Sequence, residues 1–288
     1  MAIWNAGTGT GTCSRWVSLT RIGTGAALLV LLATAEARAQ LPGMLPLDGE
    51  SWLRVEVVKP VFDSGNLTFL SSAINVAAFF PVSDRLLLDV ELPFALAAVS
   101  QGPDRPSRTF GNPFVGVRTR PGDGGGAAVR AGIRLPLQIE SEGDGFATGV
   151  GAFSDLQRFE RYLDDYLSLV SAGTFGSALG EKGRVGFEAG TVVTIPTRSG
   201  DTDLWLIYGA GFDVSTGPVR IGADVEGRLL ATEPGLTFGE RSAHHLNVEG
   251  TLLPYRIRPR VKLGVPLDDD VRGFLSYIVG IGVDVPLW

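Results

Sequence analysis

The feature of this chain that most limits its fold is a strict alternation of apolar and polar residues along several long segments. From residue 85, leucine, valine and phenylalanine occupy every second position between 86 and 96, while Arg85, Asp89 and Glu91 lie on the opposite face. Segments beginning near residues 129, 219, 257 and 275 alternate in the same way. Because side chains on a β-strand point alternately to its two faces, the pattern predicts an all-β fold.

The apolar faces are long for a soluble sheet. A soluble β-sandwich also alternates, but these faces commonly hold five to seven apolar residues at every second position, so that Leu86 to Leu96, for example, spans 11 residues. That length is nearer to the ~9–11 residues of a membrane-spanning strand than to the ~5–6 of a globular one. The opposite faces combine charged residues with glycine, as in a wet, crowded lumen. We therefore predict a transmembrane antiparallel up-and-down β-barrel, apolar outside and polar inside.

About twelve strands can be assigned, an even number as in single-chain bacterial barrels. They cover residues 51–60, 67–80, 85–99, 110–120, 126–140, 165–178, 183–197, 203–214, 218–230, 242–253, 255–265 and 273–287. Five alternate connections are short, whereas the third, fifth and ninth are long, which is typical of the two rims of an outer-membrane barrel. In the fifth connection, 141–164, Ser154 to Gln157 resembles a capping box, so we expect a short helix in an external loop.

The N-terminus has the pattern of an export signal. Arg15 and Arg21 precede an apolar run over 25–35, and Ala37-Arg-Ala39 has the form of a cleavage site. The run is shorter than the ~20 apolar residues of a transmembrane helix. We predict a signal peptide over 1–39, an N-terminal segment over 40–50 that is a candidate partial plug, and an outer-membrane barrel over 51–288.

Composition excludes several classes of function. The chain has one cysteine and only two histidines, so neither an intramolecular disulfide nor a zinc site of histidine and cysteine is expected. A net charge of −6 without a basic cluster argues against nucleic-acid binding. We expect no metal and no cofactor. The expected partners are outer-membrane lipid, the barrel-assembly machinery and a small solute.

Five segments of the chain carry short motifs that can be compared with those of known proteins. They are 80–93, 111–118, 133–136, 217–226 and 258–270, and they include Gly111-Asn-Pro-Phe-Val-Gly-Val-Arg118. Together they resemble a family of outer-membrane proteins associated with the meta-cleavage pathway of phenol degradation. The chain departs from the family at Asn112-Pro113, where Gly-Asp is expected. The resemblance implies a channel or transporter barrel and identifies neither a substrate nor site residues.

Four cations occupy one lumen-facing side of a predicted strand near the C-terminus. A free ladder of this kind would favour the binding or passage of anions. Alternatively it pairs with carboxylates on neighbouring strands, which we favour because lumen charges in narrow barrels usually form networks. The candidate lumen-lining and solute-binding residues are the ladder Arg256, Arg258, Arg260 and Lys262, together with Arg220, Asp224, Glu226, Arg228, Glu249 and Asp284.

An outer-membrane lipid hydrolase is the first alternative function. Ser242 and His244 are predicted on one outward face near the external rim, and a serine needs an adjacent base to become nucleophilic. No orienting Asn or Asp is identifiable, and His244 and His245 point to opposite faces, so they form no metal pair. We therefore expect no catalysis. A second alternative is a periplasmic or surface β protein without transport.

The chain ends in an alternating segment closed by Trp288. This ending resembles the signal that outer-membrane barrels present to their assembly machinery, which captures the last strand by edge pairing. With the export signal and the alternation, it predicts an outer-membrane, channel-like or transporter-like β-barrel for small solutes.

Overall fold

The protein is described by a computed structural model over residues 51–63, 71–98, 107–119, 126–140, 145–180, 182–253 and 255–287. The strands are β1 (Trp52–Phe62), β2 (Ser72–Ser83), β3 (Leu86–Ala97), β4 (Ser107–Phe110), β5 (Phe114–Thr119), β6 (Gly126–Arg134), β7 (Ile139–Glu140), β8 (Tyr166–Leu179), β9 (Gly183–Pro196), β10 (Asp203–Thr216), β11 (Val219–Leu230), β12 (Ser242–Leu252), β13 (Arg258–Pro266) and β14 (Leu275–Pro286). The helices are α1 (Phe146–Ser154), a 3₁₀ helix (Leu156–Tyr162), α2 (Phe238–Arg241) and α3 (Asp269–Arg272). The predicted signal peptide, the segment 40–50 and Trp288 lie outside the described residues.

The strands form one closed antiparallel barrel. β14 pairs with β1 from Trp52 opposite Pro286 to Phe62 opposite Leu275, and this pairing closes the sheet. β4 and β5 both pair with β3 and are one wall strand interrupted at 111–113. β6 and β7 are likewise one strand interrupted at 135–138. The fourteen segments therefore make twelve wall strands, and the predicted barrel is confirmed.

Apolar side chains face outward and polar side chains face the lumen. On the outer face, Val129, Val261 and Ile281 are 52%, 60% and 59% exposed. On the inner face, Asp89 and Asn247 have no exposed surface. Closure gives every wall strand a paired neighbour on both sides, which is what a sheet in hydrocarbon requires. The apolar-out, polar-in arrangement predicted from the alternation is confirmed.

Short turns and long connections lie at opposite rims. Between β10 and β11 only Gly217 and Pro218 remain outside the strands, and Gly217 has a φ of 58°. A left-handed residue suits the twist of a tight hairpin, and glycine adopts it at little cost. The opposite rim carries α2 in the connection from β11 to β12 and α3 in the connection from β13 to β14.

The connection from β7 to β8 enters the lumen. Its residues 145–163, called the plug segment from here on, contain α1 and the 3₁₀ helix. Arg161 contacts Glu91 on β3, and Glu160 contacts Arg228 on β11. β3 and β11 lie on opposite sides of the barrel, so the plug segment crosses the lumen. The expectation of a helix in an external loop is wrong about its place, because the charged side chains of the helix find their partners inside.

Two further expectations are corrected by local geometry. Ser154 ends α1 instead of opening a helix, because its hydroxyl donates to the carbonyl of Gly151 at 2.6 Å. The alternation of the last segment predicts Leu275 on the apolar, lipid-facing side, but Leu275 is fully buried against Leu156 of the plug segment. The register of β1 against β14 shifts at the end of β1 next to Phe62, and this shift breaks the alternation there. Within the described residues, no helix is both long and apolar enough to cross a membrane.

Candidate functional site

Glu91 is the centre of the charge network in the lumen. It lies on the inner face of β3 and is buried. One carboxylate oxygen, Oε1, accepts a hydrogen bond from Arg130 at 2.6 Å, and the other accepts bonds from Arg134 at 2.9 Å and Arg161 at 3.2 Å. Asp89, two residues earlier on the same face, accepts a bond from Arg130 at 2.7 Å. Two carboxylates thus hold three buried guanidinium groups, two from the wall and one from the plug segment.

An aromatic ring supports two of these arginines. The Arg130 and Arg134 guanidinium carbons lie 4.1 Å and 5.4 Å from the centre of the Phe114 ring. The ring lies over Gly116 and Gly132, which are opposite each other on β5 and β6. A Cβ atom on Gly132 would lie 2.5 Å from both the Gly116 Cα and the Phe114 ring. The two glycines therefore leave the space in which the ring and the arginines above it can stack.

The plug segment docks on the break between β4 and β5. The backbone N–H of Asn112 donates to the carbonyl of Arg161 at 2.6 Å, and its side-chain amide donates to the carbonyl of Leu163 at 2.5 Å. The Tyr162 hydroxyl donates to the carbonyl of Phe94 at 2.9 Å. Asn112 has no exposed surface. At this point the polar groups of the wall therefore form hydrogen bonds with the plug segment instead of with a neighbouring strand.

Charges inside the plug segment reinforce that docking. Arg161 contacts both Glu91 and Asp155, the latter at 2.9 Å. Burial alone would raise the pKa of Asp155, but Arg158 and Arg161 beside it hold that pKa well below its usual range. Asp155 therefore stays ionised and keeps Arg161 in the orientation that reaches Glu91.

On the opposite wall, Arg228 anchors the plug segment. Its guanidinium donates to Glu160 at 3.3 Å and to the carbonyl of Gln157 at 3.1 Å. It also stacks on Phe159 at 3.7 Å and on Trp205 at 4.2 Å. The sequence placed Arg228 on the lumen face but gave no sign of these partners. The sequence does contain a signal that could have indicated partners for Arg228, because four charged residues lie close together between residues 155 and 161.

The structure pairs Arg260, the third of the four residues in the predicted ladder. Arg260 forms an ion pair with Glu249, and its Nη1 lies 3.7 Å from Asp284 Oδ1. Arg54 on β1, which the sequence did not single out, lies 2.6 Å from the same Asp284 oxygen. Arg260 is therefore held by carboxylates from β12 and β14.

The other three ladder residues have different surroundings. The Arg258 guanidinium lies 4.5 Å from the centre of the Trp52 ring. Lys262 faces the lumen, where Glu226 and Asp155 attract its ammonium group. Arg256 departs from the expectation that it lines the lumen, since it is exposed in the turn before β13 begins at Arg258. The turn ends the alternation that would have placed it inside.

A second polar group links β11 and β12. Glu226 accepts a hydrogen bond from Asn247 at 3.1 Å and lies 2.7 Å from His245 Nε2. Asp224 accepts a bond from Asn247 at 2.8 Å. Arg220 lies on the same inner face of β11 by alternation. His245 and Asn247 were missed as site residues, although their inward position follows from the same alternation.

His244 lies on the outer face, as expected from its register. Its Nδ1 is 2.9 Å from Asp268 Oδ1, and its Nε2 is 2.6 Å from the Tyr208 hydroxyl. Ser242 Oγ instead donates to the carbonyl of Phe238 at 2.7 Å. An orienting carboxylate therefore exists, but both ring nitrogens are occupied and neither contacts Ser242. Within the described ranges, no group of three or more His, Cys, Asp or Glu residues is arranged to hold a metal ion.

No protein-family model and no curated protein sequence matches the chain. Solved structures do match it. The COG4313 outer membrane channel from Pseudomonas putida F1 has 11% identity and a TM-score of 0.56, and the match covers 86% of this chain and 99% of that one. The translocator domain of the autotransporter NalP from Neisseria meningitidis has 9% identity and a TM-score of 0.51, over 85% and 91% of the two chains.

The KdgM porin has 10% identity and a TM-score of 0.48, and the match covers 82% of this chain and 99% of that one. At identities this low, the two matches with TM-scores above 0.5, the COG4313 channel and the NalP translocator domain, show a shared fold alone. The chain is thus an antiparallel β-barrel of the outer-membrane type.

Proposed function

We propose that this protein is a narrow outer-membrane channel for small solutes, with its passage set by the plug segment. The observation that carries the proposal is the docking of residues 145–163 across the lumen between Glu91 on β3 and Arg228 on β11. A barrel of ~8 strands is filled by side chains, whereas ~16–18 strands leave an open channel. A twelve-stranded lumen has room for a passage, and a segment across it narrows that passage.

Polar and charged side chains of the wall face the lumen beside the plug segment, among them Lys262, Glu226 and Asp224. In a channel such groups would replace part of the hydration shell of a passing ion. The association with the phenol meta-pathway rests on the sequence resemblance alone. Export through the segment 1–39 and assembly through Trp288 are parts of the same proposal.

Single-channel recording in a planar bilayer tests the proposal. The folded protein should give small, discrete current steps, and Asn112→Ala should enlarge or destabilise them because it removes the amide that holds the carbonyl of Leu163. Thr237→Ala is the matched control, because it removes a hydrogen-bonded side chain from an external helix cap. Absence of current from correctly folded protein would overturn the proposal. Recovery of the protein in the soluble periplasmic fraction would favour the non-transporting alternative.

The lipid hydrolase remains the alternative to be tested against the channel. Asp268 supplies the orienting group that the sequence did not reveal, but no serine hydroxyl contacts His244 in the described residues. Phospholipid hydrolysis by the purified protein, lost in His244→Ala, would favour the enzyme. We expect equal and negligible hydrolysis by the two proteins.

A further inference from the structure

Two basic side chains lie on the outer face of the barrel, Lys59 on β1 and Arg108 on β4. Lys59 follows the lumen-facing Val58, which packs against the plug segment, so its own side chain points outward. Arg108 precedes the buried Thr109 and is exposed. Within the strands that the structure describes, every other lysine and arginine faces the lumen by the same alternation. Lys59 and Arg108 therefore lie apart from the charge networks of the lumen.

The two cations belong to one row of outward side chains, at the rim that carries the long connections. Continuing the pairing of β1 with β2 by one residue places Lys59 beside Ser72, the first residue of β2. Ser72 is opposite Leu96 on β3, and Leu96 is opposite Arg108. These four residues, called the cation row from here on, cross four neighbouring strands. With ~4.8 Å between strands, Lys59 and Arg108 are anchored ~14 Å apart.

The next row of outward side chains, toward the middle of the barrel, is apolar. In this row each residue is opposite the next, and its members are Val57, Ile74, Phe94 and Phe110. The Phe94 and Phe110 rings have their centres 5.0 Å apart, and Phe94 is 38% exposed. This part of the outer face therefore combines two cations at the rim with an aromatic and aliphatic surface below them.

The position of the cation row corresponds to the headgroup level of a membrane. In outer-membrane barrels the longer connections are extracellular, and a charge on the lipid face is costly at the middle of the bilayer but not near its interfaces. An ammonium group has three N–H donors and a guanidinium group five. Both can therefore bind a phosphate in addition to contacts within the protein, such as the bond from Lys59 Nζ to the carbonyl of Ser71 at 3.4 Å.

We propose that the cation row binds an anionic lipid of the outer leaflet that carries two phosphate groups. Lys59 and Arg108 would each donate charge-assisted hydrogen bonds to one phosphate, and their separation suits two phosphates better than one. The acyl chains would lie against the apolar row that contains Phe94 and Phe110. This inference goes beyond solute passage and rests on the outer-membrane location of the barrel, not on its conductance.

Native mass spectrometry of the full folded chain in detergent tests the site. The probes are diphosphoryl lipid A, monophosphoryl lipid A and phosphatidylethanolamine, whose headgroups have a net negative charge that falls in this order. We expect diphosphoryl lipid A to bind at least roughly tenfold more tightly than phosphatidylethanolamine, with monophosphoryl lipid A between them. Equal affinity for the three lipids would overturn the proposal. Displacement of the lipid by inorganic phosphate would show a site for the free ion and would also overturn it.

Variants locate the binding. Lys59→Gln and Arg108→Gln should each weaken diphosphoryl lipid A severalfold, and the double variant should weaken it roughly tenfold or more. Arg85→Gln is the matched control, because Arg85 is an exposed cation in the turn between β2 and β3, at the opposite rim. Heat-modifiable migration on gels checks that each variant is folded. Unchanged affinity in the folded double variant, or an equal loss in Arg85→Gln, would refute the assignment.

Conductance measured on the same preparations separates this site from the proposed channel. Preferential binding of diphosphoryl lipid A by a protein that gives no current would retain the lipid site and overturn the channel. Current from a protein that binds the three lipids equally would retain the channel and overturn the lipid site.

Discussion

At the residue scale, Glu91 joins the plug segment to the wall of the barrel. Its two oxygens accept hydrogen bonds from Arg130, Arg134 and Arg161. Two of these arginines belong to the wall and one to the plug segment, so the same acid joins both parts. Removing its charge leaves buried guanidinium groups crowded together, which is the costly way to break a buried ion pair.

Glu91→Gln should destabilise the barrel by ~3–5 kcal/mol, as expected when one member of a buried charge cluster is lost. The measurement is the denaturant midpoint of heat-modifiable migration on gels. Asp165→Asn is the control, since it removes an exposed ion pair with Arg198 that is worth ~0–1 kcal/mol. Equal midpoints for the two variants would contradict the role given to Glu91.

Gly132 tests whether the space under Phe114 matters. In Gly132→Ala the new Cβ would meet backbone atoms of Gly116 and Val115 at 2.5 and 2.6 Å, so wall or ring must move. Overpacking of this kind costs ~1–3 kcal/mol. Gly173→Ala is the control, because its nearest contact would be an ordinary 3.9 Å. The measurement is again the denaturant midpoint. A lower midpoint in Gly173→Ala but not in Gly132→Ala would contradict the role given to this space.

At the element scale, the faces of the strands were predictable and the plug segment was not. Whether Asp89, Glu226 or Arg228 points inward depends only on its parity along a strand, so local alternation is enough to place it. The position of Arg161 depends on Glu91, seventy residues earlier in the chain. No local pattern carries that information, and the helix was therefore expected outside.

The strand β13 gives a prediction at the same scale, because Arg260 is paired across both of its neighbours. Arg260→Glu should destabilise the barrel, since the new carboxylate would lie beside those of Glu249 and Asp284 with no cation between them. Adding Glu249→Arg should restore much of the loss by exchanging the pair. If Arg260→Glu left the melting temperature unchanged and only reversed ion selectivity in a salt gradient, that result would contradict the ion pairing of Arg260 and favour a ladder whose cations act on passing ions.

At the scale of the whole molecule, the barrel requires a continuous apolar band on its outer face. Ile281 lies in the middle of β14 and is 59% exposed, and Ile257 is 54% exposed in the turn before β13. Ile281→Arg should cost ~2–4 kcal/mol in folding into bilayers, whereas Ile257→Arg at the rim should cost ~0–1 kcal/mol. Folding yields in lipid vesicles measure the difference. Equal folding yields for the two variants would contradict the assignment of Ile281 to the middle of the membrane and Ile257 to its rim.

The break at 111–113 means that the wall and its insert are not separable modules. At this point the wall directs the Asn112 backbone N–H to Arg161 and its side-chain amide to Leu163. A barrel from which residues 145–163 had been cut would therefore expose donors that no neighbouring strand can receive. The shortened protein would not be the same pore with a wider bore. Water would have to replace the plug segment at these donors, and the wall at 111–113 would lose the contacts that fix its backbone.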